Sequence, residues 1–460
     1  MLYDIVQKIE TWEISVMIRS ALQKLLQWKN APDRKPLLLQ GARQVGKTWL
    51  MKEFGRLHFS RTAYIHFDNN KRMQEIFSGD YDIARLLTAF QIEAGCTITP
   101  QDTLIVFDEV QEAPNAINSL KYFCEEAPEY PIIAAGSLLG ISLHKDSSFP
   151  VGKVNFLDLY PLSFMEFLRA SDNERLADLA ESGDWPMITS FKSKFIELLR
   201  LYYYVGGMPE AVMTFLLHND LKKVRDVQRE LLRSYNRDFS KHAPKDAVPR
   251  IQLIWNSIPS QLARENRKFI YGALRTGARA REFEAAMGWL LGAGLIHNVF
   301  RAAKPAFPLS AYRTDAFKTY MLDVGLLGAK SGLNAKTILE GNAVFQEFKG
   351  ALTEQYVQQQ LRAECGISPF YWTHVGGGAE VDFLCQSEDS IIPLEVKAEE
   401  NLQSKSLGVY GRIFHPPFSV RTSMADYRIS SRILGGQQST MVNLPLYAIS
   451  QILRECGNTP

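Results

Sequence analysis

The stretch LLLQGARQVGKTWL, residues 37–50, constrains the fold more than any other part of the chain. Gly41 to Thr48 match G-x-x-x-x-G-K-[ST] in full. PLLLQ ahead of the loop is a short apolar run, the character of a buried parallel strand. TWLMKEFGRL behind it has helical spacing, with Leu50, Phe54 and Leu57 predicted on one face. A strand running into a glycine loop and then a helix makes a phosphate cradle. The glycines let backbone N–H groups turn inward, and the helix N-terminus adds a field that favours negative charge. The loop residues Gly41, Ala42, Arg43, Gln44, Val45, Gly46, Lys47 and Thr48, with Trp49 after them, are therefore predicted to surround a nucleotide. Lys47 is expected to reach the β and γ phosphates, and the Thr48 hydroxyl to hold Mg²⁺.

A second apolar run, DTLIVFDEVQEAP, puts a strand over Leu104–Phe107 that ends in Asp108 and Glu109. An acid at the carboxyl end of a neighbouring buried strand belongs beside Mg²⁺. Glu109 can then orient or deprotonate the attacking water. YPIIAAGSLLG predicts a third buried strand through Ile132, Ile133 and Ala134, with Ser137 just past its end, where a hydroxyl can sense the γ-phosphate. The competing reading of Ser137 is an ordinary Gly-Ser turn. TAYIHFD, residues 62–68, adds another strand. Together these segments predict an open α/β sheet with its ligand at the strand carboxyl ends.

GARQVGKTWL, FDEVQ, AAGSLLG and YPLSFMEFL, continued by YVGGMPEAV, SYNRDFSKH, RTGARAREFEAAMGWLLGAGLIHNV, YMLDVGLL and NLPLYAI, resemble a bacterial and archaeal group. Its members are AAA-type P-loop ATPases with a C-terminal domain of unknown function. The resemblance runs over roughly residues 15–455. It implies ATP and Mg²⁺ as ligands, hydrolysis of ATP, and a helical lid that moves with the nucleotide. The group often has Gly-Arg where this chain has Gly152-Lys153. A lysine keeps the charge but lacks the two-pronged geometry of arginine, so the position of an arginine finger is open; Arg237 is the other candidate. Proteins of this type commonly complete their sites with a neighbour's arginine, which makes a homo-oligomer an expected partner state.

The expected class is α/β. A P-loop NTPase parallel sheet spans 15–170, a helical lid 171–245, a winged helix-turn-helix 246–335, and an α/β restriction-endonuclease-like domain 336–460. In AREFEAAMGWLLGAGLI, Phe283, Met287 and Leu290 or Leu291 share a helical face, and GLIHNVF follows as a strand. From Arg264 to Lys304 there are eight Lys/Arg against three acids, Glu265, Glu282 and Glu284. Such a cluster can neutralise phosphates, so DNA is an expected partner through this segment and the C-terminal domain. The alternative is a protein-contact surface with a solvated basic face.

Near the end, AEVDFLC and IIPLEVKA read as a hairpin around the polar turn QSEDS. Period-two alternation puts Glu395 and Lys397 on one face, with Asp382 close by on the partner strand. Asp, twelve residues, Glu-x-Lys is the restriction-endonuclease-like spacing, and Glu354 on the preceding helix can add a carboxylate. Carboxylates hold Mg²⁺ near a phosphate, and a lysine can stabilise developing negative charge. Three readings follow: an ATP-driven switch coupled to DNA or a partner, an ATP-regulated metal-dependent DNA nuclease, or a slow-turnover regulatory scaffold for protein partners. His374 is read as a turn residue, and Phe370–Trp372 and Tyr202–Tyr204 as packing.

Composition narrows the rest. The formal charge is +2, so any nucleic-acid surface must be local. The five cysteines show no CxxC pair, which points away from structural zinc and a disulfide framework and towards a reducing compartment. No uninterrupted apolar stretch of about 18 residues occurs, and the first twenty residues lack a signal-peptide core. A cytoplasmic protein with no membrane partner is the expectation.

Overall fold

The computed structural model describes residues 18–137, 139–142, 150–340, 346–388, 390–400, 404–434 and 437–457. Their contacts group into two units, Ile18–Tyr160 with Gly292–Leu295, and Pro161–Leu291 with the chain from Ile296 onward.

In the first unit, β1 (Leu37–Gln40), β2 (Arg61–His66), β3 (Thr103–Asp108), β4 (Ile132–Ala135) and β5 (Asn155–Asp158) form a parallel sheet in the order β2-β3-β4-β1-β5. β3 and β4 are buried at every position, as unbroken apolar runs in a sheet covered on both faces should be. The edge strand β5 alternates instead, and leaves Phe156 exposed. Helices α1 (Ala21–Asn30), α2 (Lys47–His58), α3 (Lys71–Ile76), α4 (Ile83–Ala94) and α5 (Pro114–Glu126) pack on the sheet. On α2 the buried positions include Leu50, Met51, Phe54 and Gly55. Leu57, expected on that face, is 47% exposed.

The core on one side is an aromatic cluster. Phe107 of β3 meets Phe67, Phe77 and Phe90 at centroid distances of 5.5, 6.1 and 5.3 Å, each edge-on. Each fully buried ring contributes about 1.5–3 kcal/mol by area, and edge-to-face packing adds about 0.5–1.5 kcal/mol. This packing holds the tip of β3 rigid. The register His66↔Asp108↔Ala135 then puts the ends of β2, β3 and β4 level along one edge, and β4 separates β3 from β1.

The second unit begins with helices α6 (Phe164–Ala170), α7 (Glu174–Ser182), α8 (Trp185–Ser190), α9 (Lys192–Val205), α10 (Pro209–His218), α11 (Leu221–His242), α12 (Val248–Leu262) and α13 (Ala280–Gly292). Gly206, Gly207 and Met208 separate α9 from α10. Gly207 sits so tightly that a Cβ there would lie 2.0 Å from the Leu162 carbonyl oxygen, and its N–H donates to Asp323 Oδ2 at 2.6 Å. Tyr202–Tyr204 are buried in α9 as packing residues.

The strands of this unit are β6 (Ile296–Ala302), β7 (Arg313–Met321), β8 (Phe370–Thr373), β9 (Glu380–Gln386), β10 (Ile391–Val396), β11 (Phe418–Ser423), β12 (Arg428–Leu434) and β13 (Gln437–Pro445). They form one mixed sheet, β12-β13-β11-β10-β9-β8-β6-β7. The helix–helix–hairpin pattern over 248–321 is present, but its β6–β7 hairpin continues through the parallel β6–β8 pair into the C-terminal strands. Phe283, Met287 and Leu290 form the buried face of α13, and Leu291 turns outward.

Helix α14 (Gln346–Ala363) runs through this unit with Ala351–Leu361 buried on every side. Three of its buried glutamines meet backbone groups of neighbouring segments. Gln355 accepts from Met321 N–H at 2.8 Å and donates to Met321 O at 2.7 Å. Gln359 accepts from Val324 N–H at 2.9 Å, and Gln360 from Phe164 N–H at 2.8 Å. Among the described residues, no helix is long and apolar enough to cross a membrane.

Candidate nucleotide site and a charged C-terminal cluster

The glycine loop leaves β1 through backbone angles that few residues tolerate. Gly41 has φ 148°, and a Cβ there would meet the Leu159 carbonyl oxygen at 2.3 Å. Gly46 has φ 96° just ahead of α2, and even Gln44 is left-handed, at φ 66°. Only Gly adopts such angles cheaply, which accounts for both fixed glycines of the motif. Arg19, buried, clamps the loop from behind: its guanidinium donates to Val45 O at 3.1 Å and Tyr160 O at 2.6 Å. Helix α2 begins without a side-chain cap. Its first amides therefore keep unspent donors, as an anion cradle needs.

Lys47 is 7% exposed and donates to Gly41 O at 2.9 Å and Ala42 O at 2.8 Å. Burial lowers its pKa to about 8, partly offset by Glu109 and Asp108. Thr48 Oγ1 donates to Asp108 Oδ2 at 2.8 Å, which brings together the two predicted Mg²⁺ ligands from α2 and β3. The same carboxylate oxygen accepts from the Tyr64 hydroxyl at 2.6 Å. Burial, followed by Asp108, pushes the Tyr64 phenol up, so it remains a neutral donor.

Glu109 follows in a left-handed conformation, φ 52°, which costs a non-glycine residue about 1 kcal/mol or more and is characteristic of functional turns. Ser137 Oγ approaches its two carboxylate oxygens at 3.2 and 3.1 Å. Gln111 donates to Glu109 Oε2 at 2.6 Å, and its Oε1 accepts from Ser137 N–H at 3.3 Å. Trp49 is half-buried on the first turn of α2. The structure thus gathers Lys47, Thr48, Asp108, Glu109 and Ser137 at one edge of the sheet. Sequence reasoning missed Arg19, Tyr64 and Gln111. For Gln111 the signal was present: two residues past an acid pair at a strand end, a side chain can fold back onto that end.

Residues 33–168 match the family model described as AAA domain. The first unit is an AAA-type P-loop ATPase domain. Residues 196–337 and 349–447 match two further models, each described as a domain of unknown function (DUF8612 and DUF4143). No curated protein matches the chain. Forty chains of solved structures match it, among them the following three. The Walker-type ATPase of Pyrococcus abyssi has 15% identity and a TM-score of 0.45, covering 69% of this chain and 96% of that one. The Orc1 protein of Aeropyrum pernix, solved in complex with DNA, has 12% identity and a TM-score of 0.26, covering 69% and 93%. Cdc6p of Pyrobaculum aerophilum has 14% and 0.23, covering 70% and 93%.

Lys153 of the AAA domain pairs with Glu125 at 2.9 Å, and Arg237 on α11 pairs with Glu230 at 3.6 Å, 77% exposed.

In the second unit, the predicted hairpin is β9–β10, paired antiparallel from Ile391↔Gln386 to Leu394↔Phe383. Glu354, Asp382 and Glu395 are all buried, and Lys397 Nζ donates to Glu395 Oε1 at 2.7 Å. Asp382 accepts from Val396 N–H at 2.8 Å and lies against Glu354. Burial, then Glu354 and Glu395, pushes the Asp382 carboxyl well up. Three residues the sequence reading left out complete the cluster. Arg267 pairs with Glu354, Tyr320 donates to Glu354 Oε2 at 3.0 Å, and Lys318, fully buried, lies 3.6 Å from Glu354 and 2.5 Å from Glu380. Burial raises Glu354, but Arg267 and Lys318 more than offset it and hold the carboxyl below its usual range. Among the described residues, no three histidine, cysteine or carboxylate side chains converge to hold a metal ion. Cations of the protein already neutralise this cluster, so as folded it does not fit a divalent ion. His374 lies in the turn after β8 and accepts from Gly376 N–H at 3.3 Å.

Proposed function

We propose that the AAA domain binds ATP with Mg²⁺, hydrolyses it slowly, and works as a nucleotide-driven switch. The observation that carries this reading is the 2.8 Å bond between Thr48 Oγ1 and Asp108 Oδ2, beside a buried Lys47. Two side chains 60 residues apart are aimed at one point, with the open amides of α2 beside them.

Lys47 exchanges two carbonyl partners for phosphate oxygens, so the loop arrives preorganised. Mg²⁺, held by Thr48 and Asp108, would draw charge from the β and γ phosphates. Glu109 takes the proton of the attacking water, and Ser137, one hydrogen bond away, meets the γ-phosphate. Glu109→Gln is expected to bind ATP with affinity within about twofold of the native protein. It should lose about 10²-fold or more in kcat. A phosphate-release assay beside a binding titration checks this, and retained turnover in Glu109→Gln would remove Glu109 from the reaction.

The partner reading leans to protein. The exposed residues of α13 are Ala280, Arg281, Glu284, Ala285, Gly288 and Leu291, a face close to neutral. Arg275 is paired with Glu282 rather than free for a phosphate backbone. A homo-oligomer that supplies an arginine in trans fits the exposed, outward pairing of Lys153. ATP turnover rising with protein concentration is the expected sign.

A further inference from the structure

We infer that Gln111 is a positioning residue that couples Ser137 to Glu109, so that the γ-phosphate sensor and the water-activating carboxylate move as one. This rests on the reading that Glu109 prepares the attacking water.

Four observations converge on Gln111. Its amide is used at both ends: Nε2 donates to Glu109 Oε2 at 2.6 Å, and Oε1 accepts from Ser137 N–H at 3.3 Å. It therefore spans from the tip of β3 to the tip of β4. Glu109 holds a left-handed backbone (φ 52°), and the 3-10 turn Val110–Glu112 follows it. That turn carries Glu109 and Gln111 to the same side, where they meet. Gly136, next to Ser137, leaves the space that Gln111 occupies: a Cβ there would lie 2.3 Å from Gln111 Oε1. Finally, Ser137 Oγ is bonded to the same carboxylate, which closes a three-member ring of contacts through Glu109, Gln111 and Ser137.

The consequence is a latch. With its carboxylate held by Gln111 and Ser137, Glu109 is fixed in place but not free to accept from water. A γ-phosphate that takes the Ser137 hydroxyl removes one of those holds. Gln111 keeps the carboxylate oriented while the other oxygen is freed. Without Gln111, Glu109 loses its orientation although the nucleotide still binds.

The test compares Gln111→Met, which keeps length but cannot hydrogen-bond, with Gly136→Ala, which displaces Gln111 without altering it. The Cβ of Gly136→Ala meets the flexible end of Gln111 at 2.3 Å and the Leu139 side chain at 3.0 Å, with no backbone atom among these contacts, so this variant is expected to fold even if the first does not. Both should lower kcat about tenfold or more, with KM and the ATP dissociation constant within about twofold of the native protein. Gln111→Glu should also move the acidic limb of the pH–kcat profile upward, because a second carboxylate beside Glu109 favours its protonated form. Native kcat and an unshifted profile in all three variants would overturn the inference. Loss of ATP affinity in step with kcat would do the same, by assigning Gln111 to binding. Failure of the underlying reading looks different: the native protein itself then releases no phosphate, or Glu109→Gln turns over normally.

Discussion

Lys47→Ala abolishes ATP turnover, with an expected loss of at least about 10²-fold in kcat/KM, and it removes the thermal stabilisation that ATP confers. The ammonium is buried behind the loop and already satisfied by Gly41 O and Ala42 O. Alanine removes both the charge that meets phosphate and the contacts that hold the loop in its binding shape. A phosphate-release assay and a melting curve with and without ATP read the two effects separately.

The same lysine makes a prediction about pH. Burial lowers its pKa to about 8, below the value of about 10.4 in an unfolded chain. Between those values the unfolded state binds more protons than the folded state, so this group's contribution to stability rises with pH across that window. Below pH 8 both states carry the proton, and the full cost of burying the charge is present. Phosphates placed beside Lys47 favour its charged form and raise its pKa. ATP binding at about pH 8–9 is therefore expected to take up protons, and ATP affinity to fall as pH rises through that range. Calorimetry in buffers of different ionisation enthalpy measures the uptake directly. Zero uptake would show that Lys47 does not meet the phosphates.

The second large effect lies in the other unit. Glu354→Ala is expected to cost about 3–5 kcal/mol, because it leaves Arg267 and fully buried Lys318 without their shared counter-charge. It also strips the acceptor from Tyr320. Chemical denaturation should show the second unit unfolding at lower denaturant. Glu354→Gln should recover part of the loss, since the amide oxygen keeps an acceptor for Tyr320 and Arg267. Asp382→Asn makes the contrast. Burial and Glu354 push the Asp382 carboxyl towards its neutral form, so an amide can keep a donor to Glu354 and the acceptor for Val396 N–H. Its expected cost is below about 1 kcal/mol. An Asp382→Asn cost as large as that of Glu354→Ala would mean the carboxylate is charged in the native state and the cluster has been read with the wrong proton.

The AAA domain was the more legible half. Gly41 and Gly46 announce positive φ, Leu104–Phe107 announce a strand buried on both faces, and an acid after such a strand has few places to point. Those are local signals, carried by neighbours in the chain. Glu354, Asp382, Glu395 and Lys397 were legible as a group, and the hairpin that joins three of them has the expected register. Their counter-ions were not. Arg267 and Lys318 lie 87 and 36 residues from Glu354, and no spacing rule links a loop arginine and an edge-strand lysine to a helix. The same holds for Gln355, Gln359 and Gln360 of α14, which bond backbone groups of distant segments.

Residue order along the chain was enough to establish a phosphate loop, the acid strand beside it and the sheet that holds both. In each case short-range backbone geometry and apolar runs leave a single arrangement. Only the folded molecule settled which charges neutralise which. Electrostatic pairing in a buried site depends on through-space distance and lost solvation, and those come into being when remote segments pack together.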